Sequence, residues 1–406
     1  MKLIAVERNV GGGSARLTGA VERGDGTHCE VTFAYDASDA ALVSGEADAF
    51  VPALLLPAMA AGEPLELTPP VSPRLLASLP RLQAIFSSWF PHYRRIEVVA
   101  HPRDLAARAD PDARSIGARV GTGARVDVGA FFSGGVDSFY TLLKSVRGLP
   151  REDPPISHVL FFHGLETTLE ARRGGDASEA RVRRVASEAG LACVVGETNL
   201  RTCFPLLWGE YCGAGLAAAA HSLGGRLSHV LIPSTDAYAD ALPWGSHPLV
   251  DPLWSTERTA IVSDGAETVR SDKLVQLVAN DPLAQKHLRV CVLNDGGDFN
   301  CGRCTKCVRT MVALHALGVE DRFETVPREL PPELDRILAS DYELYLAQSL
   351  ALLERTARSP ALEARVGRVL RSKRRRNGLR MLLENAAPKW LVERIRALRG
   401  GGPAGR

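Results

Sequence analysis

The sequence lacks the features that mark several specialised classes of protein. No apolar run approaches the ~20 residues that a membrane-spanning helix needs. The opening residues, Met1-Lys2-Leu3-Ile4, place a charge inside what would be the apolar core of a signal peptide, so the sequence predicts no secretion signal. These two absences predict no transmembrane segment and no secretion. Four of the eight cysteines cluster with metal-ligand spacing, which favours a reduced, cytoplasmic protein over a disulfide-bonded one.

The formal net charge is only +2, so no overall excess of one sign marks the chain. Basic residues are nevertheless concentrated at its C-terminal end. Residues 365–406 hold 13 Lys or Arg against 2 Asp or Glu, a balance of +11 that leaves −9 for the remainder. The run Arg-Ser-Lys-Arg-Arg-Arg at 371–376 is typical of a segment that binds RNA phosphates, lies on an anionic membrane surface, or stays solvated against an acidic body. Sequence alone leaves these three interpretations open.

The stretch that organises the chain is residues 133–138, Ser-Gly-Gly-Val-Asp-Ser. Residues 126–132 before it are apolar except for Asp127 and predict a buried strand. The residues after it have apolar side chains at helical spacing, at Phe139, Leu142, Leu143 and Val146. A glycine turn between a strand and a helix N-terminus is suited to binding an anion, above all a phosphate. The spacing differs from that of a Walker loop, which has four residues between its glycines and then a lysine.

These residues resemble the pyrophosphate loop of the N-type ATP pyrophosphatases, whose signature is Ser-Gly-Gly-x-Asp-Ser. Members of that superfamily use ATP to adenylate a carbonyl or carboxylate, release pyrophosphate, and let a nitrogen or sulfur nucleophile displace AMP. The resemblance implies that ATP phosphates and Mg²⁺ are held by Ser133, Gly134, Gly135, Val136, Asp137 and Ser138. It also implies that Ser133, Asp137 and Ser138 act in catalysis.

Strand-like and helical stretches alternate from about residue 125 to residue 317. We expect an α/β fold with a doubly wound, mostly parallel sheet, and the resemblance implies the adenine nucleotide alpha hydrolase-like (HUP) type. The 406 residues suffice for three parts. These are a small α+β domain at 1–104, a pyrophosphate-loop domain at 105–318, and a helical region with a basic tail at 319–406, including an amphipathic piece at 381–398.

In such a sheet, ligands bind outside the carboxyl ends of the strands. His163 ends the strand predicted at 158–163, and Asp236 comes shortly after the strand predicted at 229–232. Both are therefore candidate nucleotide contacts, although either also fits a capping or turn role. The Gly- and Pro-rich stretch 244–251 predicts a loop that selects the substrate. Lys273 is interpreted as a solvated surface lysine in preference to a phosphate ligand.

Half of the eight cysteines cluster late in the chain, as Cys291, Cys301, Cys304 and Cys307. Four thiolates with C-x2-C spacing allow a closed tetrahedral zinc site, and Gly296-Gly297 permits the turn between the first two ligands. Such a metal would be structural, and an iron–sulfur cluster on the same sulfurs is the alternative. Of the other cysteines, Cys193 is expected to pack in a strand, whereas Cys203 and Cys212 are candidate sulfur carriers.

Together, the loop and the cysteine spacing are similar to 7-cyano-7-deazaguanine synthase and its relatives over about residues 125–318. The resemblance implies an AMP-forming ligase that adenylates a small-molecule carboxylate and installs nitrogen from ammonia or an amine. The synthase's Gly-Tyr-Pro-Asp-type segment is replaced here by Ser234-Thr235-Asp236-Ala237, so its substrate does not transfer. The alternatives are a tRNA or small-molecule sulfur transferase and a non-catalytic ATP-binding subunit of a modification or defence system. An RNA or protein acceptor and a homo-oligomer are both compatible with the sequence.

Overall fold

The computed structural model describes residues 1–105, 127–151, 153–166, 168–169, 177–224, 226–291 and 300–386. These residues form two compact units. One runs from Met1 to Val290 and includes Phe323–Thr325, and the other contains Cys291, residues 300–322 and the chain from Val326. In the described ranges, none of the helices is long and apolar enough to cross a membrane. Gly296-Gly297 and the end of the predicted amphipathic piece at 381–398 lie outside these residues.

The first unit contains a sheet of ten strands. The strands are β1 (Lys2–Gly11), β2 (Ser14–Glu22), β3 (His28–Asp36), β4 (Leu65–Val71), β5 (Val98–Pro102), β6 (Asp127–Phe131), β7 (His158–His163), β8 (Ala192–Thr198), β9 (Leu227–Pro233) and β10 (Ala260–Asp264). Their order in the sheet is β10-β9-β6-β7-β8-β3-β2-β1-β4-β5. Most neighbouring pairs are parallel, and the fold is therefore α/β with a large mixed, mostly parallel sheet, as predicted.

Strand β6 is the middle strand of the five-stranded parallel part. The chain passes from β6 to β7 and β8 on one side and then returns to place β9 and β10 on the other side. All five strands are parallel, so their carboxyl ends share one edge of the sheet. The reversal of strand order beside β6 is the kind of position where open α/β sheets form a crevice for ligands.

The N-terminal strands extend this sheet, because β3 pairs antiparallel with β8. In β2 and β3, alternate residues such as Leu17, Val31 and Phe33 are buried, which is the period expected of strands with one covered face. The apolar helix α1 (Phe50–Ala61) contributes to this cover, and Phe50 lies edge-on against Phe33. The predicted domain boundaries at residues 104 and 318 stay predictions.

The remaining helices of the first unit are α2 (Pro73–Trp89), α3 (Val136–Val146), α4 (Ala177–Glu188), α5 (Leu200–Cys203), α6 (Trp208–Ser222), α7 (Arg270–Gln276) and α8 (Pro282–His287). The second unit contains α9 (Thr305–Leu317), α10 (Leu334–Ser340), α11 (Glu343–Thr356) and α12 (Pro360–Ala386). Short 3₁₀ helices lie at Ala37–Asp39, Ala47–Ala49, Asp251–Trp254, Val278–Asn280 and Glu320–Arg322.

The prediction of β7 at residues 158–163 is confirmed, whereas β2, β4 and β10 were not predicted. Strand β4 was obscured by Pro69 and Pro70, which normally argue against a strand because proline lacks an N–H donor. The sheet accommodates both prolines where the pairing of β4 with β5 is interrupted, between Leu67 and Val71.

Candidate functional site

The glycine loop lies where it was predicted, between the carboxyl end of β6 and the start of α3. Gly134 has a φ of +83°, a left-handed conformation that glycine adopts without steric cost. Ser133 is exposed at the start of the turn, and its Oγ is 3.4 Å from the N–H of Gly135. The loop therefore turns sharply at the edge of the sheet where the strand order reverses.

The N-terminus of α3 is left open at this turn. Its N-cap residue is Gly135, which has no side chain to accept hydrogen bonds from the first turn. The Ser138 hydroxyl donates back to the Gly135 carbonyl at 3.0 Å and does not cap the helix. Unpaired N–H groups and the positive end of the helix dipole favour an anion at such a position.

A buried arginine that sequence reasoning missed lies beside the loop. The Arg289 N–H donates to the Gly134 carbonyl at 2.8 Å, which fixes the arginine backbone against the turn. Only 9% of Arg289 is exposed, and its Nε has no hydrogen-bond acceptor among the described residues. Its Nη1 lies 3.5 Å from Ser178 Oγ in the first turn of α4. A buried guanidinium with unused donor capacity is a natural partner for a phosphate.

Asp137, in the first turn of α3, is held by two cations from α7. Arg270 donates two hydrogen bonds to its carboxylate, and Lys273 Nζ lies 3.3 Å from Asp137 Oδ1. Lys273 also donates to the Ser234 carbonyl at 2.5 Å, directly after β9. These contacts connect the loop after β6 with the segments that follow β9 and β10.

The pKa shifts of Asp137 and Lys273 follow from the numbers of nearby charges, because one carboxylate lies against two cations. Burial raises the pKa of Asp137, but Arg270 and Lys273 outweigh burial and hold that pKa below its usual range. Burial lowers the pKa of Lys273, and Asp137 opposes this only in part because Arg270 repels the ammonium. The carboxylate thus benefits from two cations, whereas the lysine shares Asp137 with an arginine and gains only a smaller attraction from Glu267.

The interpretation of Lys273 as a solvated lysine is wrong, because none of its surface is exposed. The error has a structural cause, since α7 follows the unpredicted strand β10, which brings the helix back to the loop. Arg270 was missed for the same reason. The signal available in the sequence was the i, i+3 spacing of Arg270 and Lys273, which places both cations on one face of a helix.

The other two predicted site residues have partners of their own. His163 is buried at the end of β7, and its Nε2 lies 3.0 Å from Glu179 Oε2 on α4. Burial raises the pKa of Glu179, but His163 and Arg183 outweigh it and keep this pKa low. Asp236 is half-buried, and its backbone carbonyl accepts a hydrogen bond from Ser234 Oγ at 2.9 Å.

The predicted substrate loop at 244–251 lies against α6. Gly213 permits a close backbone approach there, because a Cβ at this position would fall 2.1 Å from the Gly245 carbonyl oxygen. The loop ends at Asp251, whose side chain is fully buried and accepts hydrogen bonds from Ser246 Oγ at 2.9 Å and from the His247 N–H at 3.1 Å. Burial raises the pKa of Asp251 to about 7, although these hydrogen bonds oppose the shift.

Asp251 gives the protein a predicted pH dependence. A carboxyl whose folded pKa is raised stabilises the fold fully below its unfolded pKa of about 4 and loses that contribution as pH rises through the folded value. We expect the free energy of unfolding of the wild type to fall by about 2–3 kcal/mol more than that of Asp251→Asn between pH 5 and pH 8. Denaturant unfolding of both proteins at each pH measures the difference. Parallel pH profiles would contradict the assignment.

Among the cysteines outside the late cluster, Cys193 lies in strand β8 as predicted, whereas the carrier roles of Cys203 and Cys212 stay predictions. Cys29, on β3, lies beside Cys203, at the end of α5, whose thiol donates to the Glu30 carbonyl at 3.5 Å. The interaction between the two thiols lowers the pKa of Cys29 to about 6 and raises that of Cys203. Burial raises the pKa of Cys212 to about 12. The lowest pKa of this set is therefore that of Cys29, which the sequence did not single out, and Arg23 also lowers it.

The four predicted metal ligands come together in the second unit. The Sγ atoms of Cys291, Cys301, Cys304 and Cys307 all lie within 4.8 Å of one another. The Cys301 and Cys307 sulfurs are 3.8 Å apart, and a tetrahedral site with Zn–S bonds of ~2.3 Å has sulfur–sulfur edges of about 3.8 Å. The donor set and its spacing therefore fit a zinc ion.

The chain around these cysteines turns so that backbone N–H groups approach the sulfurs. Gly302 has a φ of +69° between Cys301 and Cys304. The Arg303 N–H points at Cys301 Sγ at 3.5 Å, and the Cys307 N–H points at Cys304 Sγ, the N-cap of α9, at 3.4 Å. The neighbouring Cys304 sulfur, followed by burial, raises the pKa of Cys307, as expected where crowded sulfurs need a cation to ionise together.

Comparisons of the chain with protein-family models, with curated proteins and with solved structures found no match.

Proposed function

We propose that this protein is an ATP-dependent, AMP-forming ligase of the pyrophosphate-loop class, with the doubly wound adenine nucleotide alpha hydrolase-like architecture. The observation that carries the proposal is the Ser-Gly-Gly-Val-Asp-Ser loop at the carboxyl end of β6, where it precedes the uncapped N-terminus of α3 at a reversal of strand order. In this proposal the enzyme adenylates the carboxylate or carbonyl of an acceptor, and ammonia or an amine then displaces AMP.

In the proposed mechanism the β- and γ-phosphates lie on the open N–H groups of α3. The exposed Ser133 hydroxyl donates to a phosphate oxygen, and Arg289 compensates the charge of the leaving pyrophosphate. Asp137 positions the cations Arg270 and Lys273 at the same edge of the sheet. Catalysis then rests on orientation and on stabilisation of charge that develops on the leaving group.

The Asp137 carboxylate does not fit the role of a free magnesium ligand, because Arg270 and Lys273 already occupy it. Mg²⁺ binds through few carboxylates and readily keeps water and substrate phosphates as ligands. We therefore propose that Mg²⁺ arrives as part of the Mg–ATP substrate. For the cysteine cluster we propose zinc in a closed, structural site.

Gly135 offers a variant that tests this function without removing a buried group. An aspartate is a favoured N-cap residue, and the backbone at Gly135 (φ −79°, ψ 173°) suits any residue, so Gly135→Asp should fold. Its carboxylate would occupy the N–H groups that the phosphates need. A Cβ alone meets only ordinary contacts, with Ser133 Oγ at 3.5 Å and the Arg289 carbonyl at 3.8 Å, so Gly135→Ala is the matched control.

The assay follows nucleotide products by chromatography after incubation with Mg–ATP, ammonium and a metabolite extract. We expect AMP and pyrophosphate from the wild type and from Gly135→Ala, and neither from Gly135→Asp. Formation of ADP would contradict adenylation. ATP binding with no AMP from any metabolite, RNA or protein acceptor would favour the non-catalytic ATP-binding subunit.

Sulfur transfer is the second candidate, and the Cys29–Cys203 pair is the observation that favours it. Strand β3 runs antiparallel to β8, so Cys29 lies beyond the carboxyl end of β8, at the edge of the sheet where the loop also lies. The nucleophile in this candidate is Cys29, because its pKa is low, and not Cys203 or Cys212 as the sequence suggested.

We predict that iodoacetamide at pH 7 alkylates Cys29 before Cys203 or Cys212, because the thiolate is the reactive form. Peptide mass spectrometry over a time course measures the order, and Cys203→Ser serves as the comparison, since loss of the interaction between the two thiols should slow labelling of Cys29. Equal labelling rates would contradict the low pKa. AMP formation that persists in Cys29→Ser would exclude sulfur transfer by this residue.

A further inference from the structure

Helix α12 in the second unit has a basic face that the proposed function does not use. Val366, Val369 and Leu370 form its buried side, and the helix packs against α10 and α11. Arg368 and Arg371 are exposed on the opposite side, as is Arg375. Their i, i+3 and i+7 positions align them along one stripe of about 10 Å. We call these three arginines the basic stripe.

The basic stripe differs from three other cations of the same helix, Arg365, Lys373 and Arg374. Arg365 pairs with Asp335 at 2.5 Å, and Arg374 pairs with Glu343 at 3.0 Å. Lys373 donates to the Ala339 carbonyl at 3.0 Å. The stripe arginines have no carboxylate partner among the described residues, and the sequence contains no Asp or Glu from 364 to 383. Partners within the second unit thus neutralise part of the basic run, but they do not neutralise the three arginines of the basic stripe.

The packing of α12 also distinguishes between two candidate polyanions, an anionic membrane surface and a nucleic acid. A helix that lies on a membrane surface inserts an exposed apolar face below its basic face. Over residues 360–378, whose side chains the structure describes, the apolar residues Val366, Val369 and Leu370 are covered by their own unit, so this part of the helix presents guanidinium groups without an apolar face to insert. Guanidinium groups bind phosphates through paired donors, and an exposed row of them suits a sugar–phosphate backbone.

We infer that the basic stripe of α12 binds the phosphate backbone of a nucleic acid. This inference is independent of nucleotide chemistry at the glycine loop, since it rests only on residues of the second unit. Contacts of this kind position a nucleic acid and do not read its sequence. The stripe would therefore bind strands of different sequence with similar affinity.

The test measures binding of a fluorescein-labelled RNA hairpin, and of a DNA duplex of the same sequence, by fluorescence anisotropy without ATP. The variant Arg368→Gln, Arg371→Gln, Arg375→Gln removes the stripe. The charge-matched control replaces the exposed arginines Arg16, Arg81 and Arg95 of the first unit with glutamine. Circular dichroism and thermal unfolding check that both variants fold.

We expect the wild type and the control to bind, and the stripe variant to bind at least about tenfold more weakly at physiological salt. The slope of log affinity against log salt should decrease in magnitude by about 2–3, because each released phosphate contact contributes about 0.7–0.9. Equal affinities of the stripe variant and the wild type would overturn the inference. So would a wild type that binds phosphatidylserine vesicles but neither nucleic acid.

Discussion

Replacing Cys301 and Cys304 together by serine is expected to remove the metal from the protein and to destabilise the second unit. The sulfurs of the cluster lie within 4.8 Å of one another, and Cys304 is also the N-cap of α9. Structural zinc sites contribute on the order of 10 kcal/mol of binding free energy to folding. We therefore expect about one equivalent of zinc in the wild type, none in the variant, and lower helix content in circular dichroism.

Cys193→Ser is the control, because Cys193 is a half-buried thiol in β8 outside the cluster. It should retain its zinc, and a chelator should lower the thermal stability of wild type and control but leave the double variant unchanged. Full metal content in the double variant would contradict the site. Iron, inorganic sulfide and a visible absorption band in the wild type would instead identify an iron–sulfur cluster.

Asp137→Ala is expected to lower the free energy of unfolding by about 3–5 kcal/mol, the usual cost of removing one partner of a buried ion pair. The substitution leaves Lys273, which has no exposed surface, and Arg270 without their shared carboxylate. Adding Lys273→Met removes the stranded charge, so the double variant should recover part of the loss. Urea unfolding of the wild type, Asp137→Ala, Lys273→Met and the double variant forms a double-mutant cycle that gives the coupling energy between Asp137 and Lys273.

Ser138→Ala is the local control, because Ser138 lies beside Asp137 but, among the described residues, its hydroxyl bonds only to the Gly135 carbonyl. Ser138→Ala should lower the free energy of unfolding by about 1 kcal/mol. Additive effects of Asp137→Ala and Lys273→Met would contradict the coupling. The cycle also means that lost activity in Asp137→Ala is poor evidence for phosphate binding, since the variant disturbs the fold of the site.

The features predicted best from the sequence are local ones. The strand, glycine turn and helix around residues 133–138 are encoded by neighbouring residues, and so is the spacing of Cys301, Cys304 and Cys307. The two cations on Asp137 depend instead on β10, whose five residues are too short to show a periodic pattern. The low pKa of Cys29 likewise requires Cys203, which lies far away in sequence and meets it only through the pairing of β3 with β8.

The sequence also could not show which cations of α12 form ion pairs. A run of basic residues has the same sequence pattern whether or not its side chains have carboxylate partners. Only the packed unit separates Arg365 and Arg374, which have carboxylate partners, from Arg368, Arg371 and Arg375, which have none among the described residues. Arg289 was missed for a similar reason, because its contact with Gly134 depends on the turn of the backbone after α8.

The central claim, that residues 133–138 bind the pyrophosphate part of ATP, is tested most directly by calorimetric titration with Mg–ATP and with inorganic pyrophosphate. Arg289→Met removes the buried guanidinium beside Gly134, and Arg16→Met, on the exposed face of β2, is its control. We predict that both ligands bind the wild type and the control, and that Arg289→Met binds each about tenfold or more weakly, as expected for a lost charged hydrogen bond. Equal affinity in all three proteins, or no binding of either ligand to the wild type, would contradict the claim.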